Sequence, residues 1–188
     1  MAGIIILIIA LIGIVYHEKT YVSTPKIEKN SYRIEWEEYS DEISYDGYVD
    51  KNGWKNNYTI DTGENSAICC VEAKVDWKDN LDFHGIIFSW NWTDKMEMDF
   101  SIDEFSFSQS ENGYGMLSIK ATIERPKDLI VKAENKSEAM KMIGNINSKI
   151  HCTISLNIQP KPRFFDRGND FTLYITYHYY KPIIKKIS

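Results

Sequence analysis

This 188-residue sequence lacks the short motifs that carry catalytic chemistry. It contains no G-x-S-x-G, G-x-G-x-x-G, P-loop or H-E-x-x-H pattern. No metal-ligand spacing links its four histidines, His17, His84, His151 and His178. Positive charge is also scarce, because 22 Lys and Arg residues stand against 27 Asp and Glu residues, and nucleic-acid binding relies on basic side chains that neutralise phosphates. We therefore expect no enzymatic activity, no cofactor and no nucleic-acid partner.

Cysteine is rare, and its three copies lie on two runs that alternate apolar with polar residues. Side chains in a strand point alternately to opposite faces. This rule groups Cys69 with the apolar residues of its run, Cys70 with the charged ones, and Cys152 with a second apolar face. We predict a Cys69–Cys152 disulfide across the core, worth roughly 4.5 kcal/mol in an oxidising compartment. The alternative is two buried free thiols. Cys70 is predicted to be an exposed, odd thiol.

Only one long apolar run occurs, at residues 2–16. As a helix it would measure about 22 Å, whereas a hydrocarbon core is roughly 30 Å thick, so residues 16–19 would have to reach the interface. A cleaved signal peptide normally has a basic start and small residues at the cleavage site, and neither is present. We predict an uncleaved N-terminal membrane anchor helix at residues 1–18, with a cleaved signal peptide or a processed filament-type helix as alternatives. A juxtamembrane linker at 19–30, a sandwich domain at 31–181 and a C-terminal tail at 182–188 would follow.

Opposing signals bear on the side of the membrane where the domain lies. Basic residues follow the apolar run and none precedes it, which favours the cytoplasm: Lys19, Lys26, Lys29 and Arg33. Glycan-acceptor triplets at Asn57, Asn91 and Asn135 favour the outside. Because a single residue precedes the run, positive charge has no room to collect there, and we predict an extracytoplasmic domain. A further basic group, Lys181, Lys185 and Lys186, is either a solvated end or a weak contact for anionic headgroups.

Period-two alternation runs through most of the chain after residue 30. It is clearest in runs rich in aromatic and β-branched residues, at 32–37, 86–92, 96–102, 117–124 and 171–179. Helical spacing occurs once, near residues 137–147, where Asn135 or Ser137 can cap the start and Gly144 the end. We predict an all-β fold, an antiparallel β-sandwich of immunoglobulin-like or jelly-roll-like type with one short helix, preceded by the N-terminal hydrophobic helix. The order of Cys69, Trp90 and Cys152 is what suggests the immunoglobulin-like alternative.

The sequence has two acidic stretches, and the first is a candidate cation site. Asp76, Asp79 and Asp82, with Asn80 between them, place four oxygen ligands within seven residues, so a structural calcium site is one interpretation and a solvated turn is the other. The second stretch, at residues 94–104, alternates with Met96, Met98 and Phe100. This alternation predicts the solvent-facing side of a strand.

Tyrosine supplies the candidate for partner binding. On the last predicted strand, Tyr174, His178 and Tyr180 fall on the face opposite Phe171 and Leu173. If no other element covers that face, it is a flat aromatic strip suited to sugar rings or to another protein. Ordinary surface tyrosines on an outer strand are the alternative.

Three stretches of sequence carry a resemblance. Val75-Asp76-Trp77-Lys78-Asp79, followed by the segments 166–173 and 177–180 (DRGNDFTL and YHYY), resembles uncharacterised membrane-anchored surface proteins of archaea. The resemblance implies an anchor followed by a β-sandwich ectodomain, and it implies no activity and no functional residue.

Together these features predict a membrane-anchored, extracytoplasmic β-sandwich that binds a protein or glycan at the cell surface. A structural subunit of a surface layer or filament is the alternative, and an enzyme ranks third. The membrane is the expected partner of the N-terminal helix.

Overall fold

A computed structural model describes residues 29–78, 83–84, 89–90, 94–144, 146–159 and 168–187 of the protein. The predicted anchor helix lies outside these residues. The described part contains eleven strands and one short helix, which confirms the predicted all-β class. In chain order they are β1 (Asn30–Val49), β2 (Trp54–Asp61), β3 (Ala67–Lys78), β4 (Phe83–His84), β5 (Ser89–Trp90), β6 (Lys95–Ile102), β7 (Phe107–Tyr114), β8 (Met116–Thr122), β9 (Leu129–Ala133), α1 (Lys136–Lys141), β10 (Lys149–Gln159) and β11 (Asn169–Lys186).

The strands form two main antiparallel sheets. The five-stranded sheet has the order β8-β3-β11-β1-β9 and the four-stranded sheet the order β2-β10-β6-β7, while β4 and β5 pair only with each other. Strands distant in sequence pair in a nested series: β1 with β11, β2 with β10, β3 with β8, and β6 with β7. Successive pairs of this series lie in alternate sheets.

The core lies between the two sheets and follows the alternation in the sequence. On β6 every second side chain is fully buried: Met96, Met98, Phe100 and Ile102. The five-stranded sheet contributes Val71, Ala73 and Val75 from β3 and Phe171, Leu173 and Ile175 from β11. Burial of a large aliphatic or aromatic side chain contributes roughly 1.5–3 kcal/mol. The predicted core faces of these strands are confirmed.

Strands β1 and β11 form a long ribbon that changes its buried face along its length. They pair from Val49 opposite Asn169 to Tyr32 opposite Lys186, a span of about 60 Å at 3.4 Å per residue. Near Val49 the odd-numbered side of β1 faces the sandwich core. Near the start of β1 the even-numbered side is buried instead, because Tyr32 and Ile34 lie beneath other elements on that side.

Helix α1 covers this end of the ribbon. Its Ala139 packs with Tyr32 and Ala133 in a small second core. The side chain of Asn135 accepts a hydrogen bond from the backbone N–H of Glu138 at 2.9 Å, so the predicted cap is confirmed. The helix is shorter than the predicted range, since it ends at Lys141.

The predicted Cys69–Cys152 disulfide is wrong, because all three cysteines are free. Consecutive residues of β11 pair with Cys70 and with Ile68, so Cys69 is the extra residue of a β-bulge. Ile68 therefore takes the core position that strict alternation assigns to Cys69. Cys152 stays in the core of the sandwich, and the immunoglobulin-type pairing across the core is absent.

The predicted exposure of Cys70 is also wrong. Cys70 is only 8% exposed, and its sulfur is 4.0 Å from the hydroxyl of Thr122 at the end of β8. Cys69 lies beneath the chain that follows β8. Its backbone oxygen accepts from the N–H of Ile123 at 2.9 Å, and its thiol lies 3.9 Å from the carbonyl oxygen of Glu124.

Candidate functional site

The three residues of the predicted aromatic strip lie on the outer face of the five-stranded sheet. Tyr174, His178 and Tyr180 alternate with the core residues of β11, and each is half-buried. Lys74 places its ammonium group 5.7 Å from the centre of the Tyr174 ring. His178 Nδ1 lies 3.2 Å from a carboxylate oxygen of Glu38 on β1. The strip exists, but charged neighbours accompany it.

Residues 123–128, called the strap below, cross this outer face. They connect β8 at one edge of the sheet to β9 at the other. Four strand spacings are about 19 Å, and seven residue steps reach about 23 Å, so the strap runs nearly straight over the intervening strands. Its Lys127 carbonyl accepts a hydrogen bond of 3.0 Å from Nε1 of Trp36. The strap therefore divides the outer face into two parts.

A small cleft lies on one side of the strap, at Tyr180. It has a volume of about 220 Å³ and is lined by Glu35, Trp36, Arg125, Pro126, Asp128 and Tyr180. Burial and a hydrogen bond to Glu38 raise the pKa of Tyr180 above the usual value, so its hydroxyl stays protonated at neutral pH. The cleft thus combines aromatic walls with the Asp128 carboxylate and the Arg125 guanidinium group.

Cys69 and Cys152 are unsuited to nucleophilic chemistry. Burial raises the pKa of Cys69 to about 11, with a smaller contribution from Cys70. Burial raises the pKa of Cys152 to about 12, with a smaller contribution from Glu104. The thiolate is the reactive form of cysteine. Both thiols therefore remain protonated and inert at neutral pH.

A second group of tyrosines was not anticipated from the sequence. It lies on the face of the ribbon that turns toward the core, along the margin where β1 passes the four-stranded sheet. We call this group, together with a neighbouring lysine, the tyrosine margin: Tyr39, Tyr45, Tyr177, Tyr179 and Lys181. The rings of Tyr39 and Tyr179 stack with centroids 5.6 Å apart at an interplanar angle of 20°. The ammonium group of Lys181 lies 5.4 Å from the centre of each ring. Tyr39 and Tyr45 are each 39% exposed.

Carboxylates hold the tyrosine margin in place. The hydroxyl of Tyr39 donates to Glu37 at 2.6 Å, and that of Tyr179 donates to Asp41 at 3.0 Å. The hydrogen bond to Glu37 is the main cause that raises the pKa of Tyr39. For Tyr179, burial is the main cause and the bond to Asp41 adds to it. These two hydrogen bonds fix the orientation of the stacked Tyr39 and Tyr179 rings within the single chain.

The predicted calcium site is only partly within the described residues. Asp76 pairs with Lys74 at 3.0 Å, while Asp79 and Asp82 lie outside the described ranges. Within those ranges no group of three or more His, Cys, Asp or Glu side chains could hold a metal ion. A broad depression of about 700 Å³ borders Asp76 and Tyr174.

Two of the three predicted glycan acceptors are exposed. Asn57 lies on β2, where its side-chain oxygen accepts from the hydroxyl of Thr153 at 2.9 Å. Asn135 caps α1 and is also exposed. Asn91 lies outside the described residues.

The prediction that Asp94 lies on the solvent-facing side of its stretch is wrong. Asp94 is fully buried, and its carboxylate accepts a 3.2 Å hydrogen bond from the equally buried Asn169. Its backbone carbonyl accepts from Nε1 of Trp77, also at 3.2 Å. These bonds tie the chain before β6 to the end of β3 and the start of β11, so Asp94 has a structural role. Glu97 and Asp99 on β6 are half-exposed, as predicted.

Comparisons with known proteins give only distant likenesses. No protein-family model matches the sequence, and the search of curated proteins finds no match. A solved structure from Desmodium yellow mottle tymovirus is 7% identical with a TM-score of 0.36, over 82% of this chain and 92% of that chain. One from turnip yellow mosaic virus is 12% identical with a TM-score of 0.30, over 81% of this chain and 83% of that chain. Likenesses at such TM-scores carry no argument about function.

The part of the chain that the structure describes contributes no candidate membrane span. Its helix α1 has six residues, too few to cross a bilayer.

Proposed function

We propose that this protein is a non-enzymatic structural subunit, anchored in a membrane by residues 1–18, that assembles with copies of itself on the extracytoplasmic side. The observation that carries the proposal is the tyrosine margin, in which the exposed Tyr39 stacks on the buried Tyr179 and Tyr45 is equally exposed. Tyrosine is enriched at the centres of protein interfaces, because it buries a large area while few rotamers are lost.

We further propose that the sandwich is of jelly-roll type. Nested pairing of β1 with β11, β2 with β10, β3 with β8 and β6 with β7 favours this type over the immunoglobulin-like one. Jelly rolls pack flat sheet faces around a filled interior, and they occur in shells and lectins. The interior of this sandwich is filled with aliphatic and aromatic side chains.

The charges of the tyrosine margin suit contact with a second copy of the same surface. Lys181 lies beside Tyr39, and the carboxylates of Glu37 and Asp41 bond to the two stacked tyrosines. A patch that carries both signs of charge can pair with itself across a two-fold axis, where the lysine of each copy meets a carboxylate of the other. Self-association is therefore the use of this margin that its chemistry favours.

The extracytoplasmic location is supported by the exposure of Asn57 and Asn135. An acceptor asparagine must be accessible to be glycosylated, and both residues are on the surface. The apolar run at residues 2–16 supplies the anchor of the proposal.

Sedimentation velocity of the full-length chain in neutral detergent micelles tests the proposal. We expect assembly that depends on protein concentration. Tyr39→Ser should raise the concentration for half-assembly about 30-fold, which corresponds to the loss of one hot-spot residue. Tyr114→Ser is the matched control, because Tyr114 is 57% exposed on β7, away from the margin, and should leave assembly unchanged. A chain that stays monomeric at all concentrations, or equal effects of the two variants, would overturn the proposal.

The cleft at Tyr180 supports a second candidate function, the binding of a glycan at the cell surface. A cavity of about 220 Å³ matches the size of a single sugar ring more closely than that of a peptide. Aromatic side chains stack on sugar rings, and the Asp128 and Arg125 side chains can hydrogen-bond hydroxyl groups.

Binding of the full-length protein to a panel of immobilised glycans tests this second candidate. Tyr180→Ser should weaken binding about tenfold, because one aromatic contact is lost. Tyr174→Ser, a change of the same chemistry on the same face but outside the cleft, should have little effect. Failure to bind any glycan, or a greater loss with Tyr174→Ser, would remove the cleft from consideration.

A further inference from the structure

The end of the ribbon nearest the N-terminus has one covered face and one bare face. Helix α1 covers the even-numbered side of β1, where Tyr32 lies. The other side carries the isoleucines that are exposed within the described part of the chain. Ile130 is 66% exposed, Ile183 39% and Ile187 49%.

Strand register brings these isoleucines together with basic residues. Arg33 on β1 pairs with Lys185 on β11 and with Ile130 on β9, so the three side chains form a row across the sheet. The adjacent row joins Ser31 to Lys132, and the backbone N–H of Ile187 donates to the Ser31 carbonyl at 2.9 Å. Directly opposed residues of antiparallel strands share a face. We call this surface the isoleucine face: Arg33, Ile130, Lys132, Ile183, Lys185 and Ile187.

The isoleucine face is positively charged on a chain whose net charge is −5. It carries three basic residues, and Glu35 is the acidic residue among them. Lys185 bonds to one Glu35 oxygen at 2.5 Å, while Arg33 lies 3.8 Å from the other. Lys132 is exposed and adds a further positive charge. A flat surface of aliphatic side chains with basic residues beside them is typical of contact with the headgroup region of a bilayer.

The position of the isoleucine face in the chain points to the same partner. Strand β1 begins at Asn30, so the chain enters this end of the ribbon directly from the segment that carries the apolar run at 2–16. The thirteen residues 17–29 between them reach at most about 45 Å when extended. A short tether raises the effective concentration of a nearby surface, so even a weak contact is occupied.

We propose that the isoleucine face rests on the anionic headgroups of the bilayer that holds residues 1–18. The isoleucines enter the boundary between headgroups and acyl chains, while Arg33, Lys132 and Lys185 contact lipid phosphates. This contact sets the orientation of the sandwich relative to the membrane, which a flexible linker alone does not. The inference rests on the membrane anchor of the proposed function, and its test does not require self-assembly through the tyrosine margin.

The experiment uses the full-length chain in nanodiscs of phosphatidylcholine, alone or with about 30% phosphatidylglycerol as the anionic component. A maleimide carrying a polarity-sensitive fluorophore is attached to Ile183→Cys at neutral pH, where the three buried native thiols are inaccessible. Tyr114→Cys, at a strand end in the other sheet, carries the matched control label. We expect the emission of the fluorophore to shift to the blue, and its quenching by iodide to fall, at position 183 only and only in the anionic nanodiscs.

Charge reversal and salt complete the test. Arg33→Glu and Lys132→Glu should each weaken the contact at least fivefold, since a basic residue at an anionic surface is worth about that factor. Lys55→Glu, an exposed lysine on β2, is the matched control and should change nothing. Raising the salt to about 1 M should release the label in the unaltered chain, because the Debye length falls to about 3 Å.

Three results would overturn the inference. Equal emission at positions 183 and 114 in anionic nanodiscs that contain the chain would refute the isoleucine face while leaving the anchor intact. Failure of the chain to co-purify with nanodiscs would refute the anchor and the inference together. A blue shift that persists in detergent micelles and grows with protein concentration would assign the face to a second copy of the chain.

Discussion

Replacing Phe100 with alanine is expected to lower the free energy of unfolding by about 4 kcal/mol. The ring lies on β6, has no solvent exposure and packs edge-on against Phe107 with centroids 5.7 Å apart. Alanine removes the apolar surface of the ring and leaves a cavity that two hydrogen-bonded sheets cannot close. Chemical denaturation followed by circular dichroism measures the loss as a lower midpoint at an unchanged slope.

The control for this prediction is Tyr114→Ala. It also deletes an aromatic ring from a strand of the same sheet, but Tyr114 is 57% exposed. We expect a change within about 0.5 kcal/mol, as for most surface substitutions. Similar losses for the two variants would mean that the packing between the sheets is not what stabilises the sandwich.

Gly168→Ala is the second variant with a large expected effect, about 3 kcal/mol or more of lost stability. Gly168 has a φ of +122°, a conformation that side chains with a Cβ rarely adopt. A Cβ at this position would also collide with the backbone carbonyl oxygen of Val49 and lie 2.8 Å from the Cα of Asp50. These are backbone atoms, so the start of β11 would have to move away from the end of β1.

Gly63→Ala separates the two causes. Gly63 also has a positive φ, +84°, but a Cβ there would meet nothing within 4 Å. Its expected loss is about 1–2 kcal/mol, the cost of the left-handed conformation alone. Thermal or chemical denaturation of both variants gives the difference, which measures the close approach of β1 and β11. Equal losses would show that backbone conformation, and not the collision with Val49, determines the effect.

The sequence alone predicts the role of Phe100 but not that of Gly168. Phe100 belongs to a run in which apolar and polar residues alternate, and that run alone identifies it as a core residue. Gly168 follows no such pattern. Its requirement for glycine comes from Val49, more than a hundred positions earlier, which the pairing of β1 with β11 brings beside it. Local periodicity contains no information about such a contact.

The cysteines show where alternation fails. The sequence places Cys69 in the core, and the residues after it follow the predicted phase to Trp77. A single bulge before Cys70 puts Ile68 in the core position predicted for Cys69. Cys69 therefore does not face Cys152 across the core, and the predicted disulfide does not form. A bulge depends on how two strands meet, so a pattern read along one strand cannot anticipate it.

The candidate surfaces likewise divide into features that alternation along one strand predicts and features that depend on how the sheets assemble. Alternation correctly separates Tyr174, His178 and Tyr180 from the core residues of β11. It also places Tyr179 on the core-side face, where the ring is buried but stacks on the half-exposed Tyr39. The exposed margin exists because β1 extends past the four-stranded sheet, which is a property of the assembled sheets.

The sequence by itself determined strands β3, β6, β8, β10 and β11 with most of their core-facing residues, and the cap of the helix, because each of these depends on neighbours a few positions apart. Strands β2, β7 and β9 were not among its predictions. The tertiary structure alone decided the nested pairing, the bulge at Cys69, the strap over the outer face and the bare isoleucine face. Those features depend on which distant segments meet and on what covers each face once they have met. Hydrophobic burial specifies that a face must be covered, but it does not specify by which element.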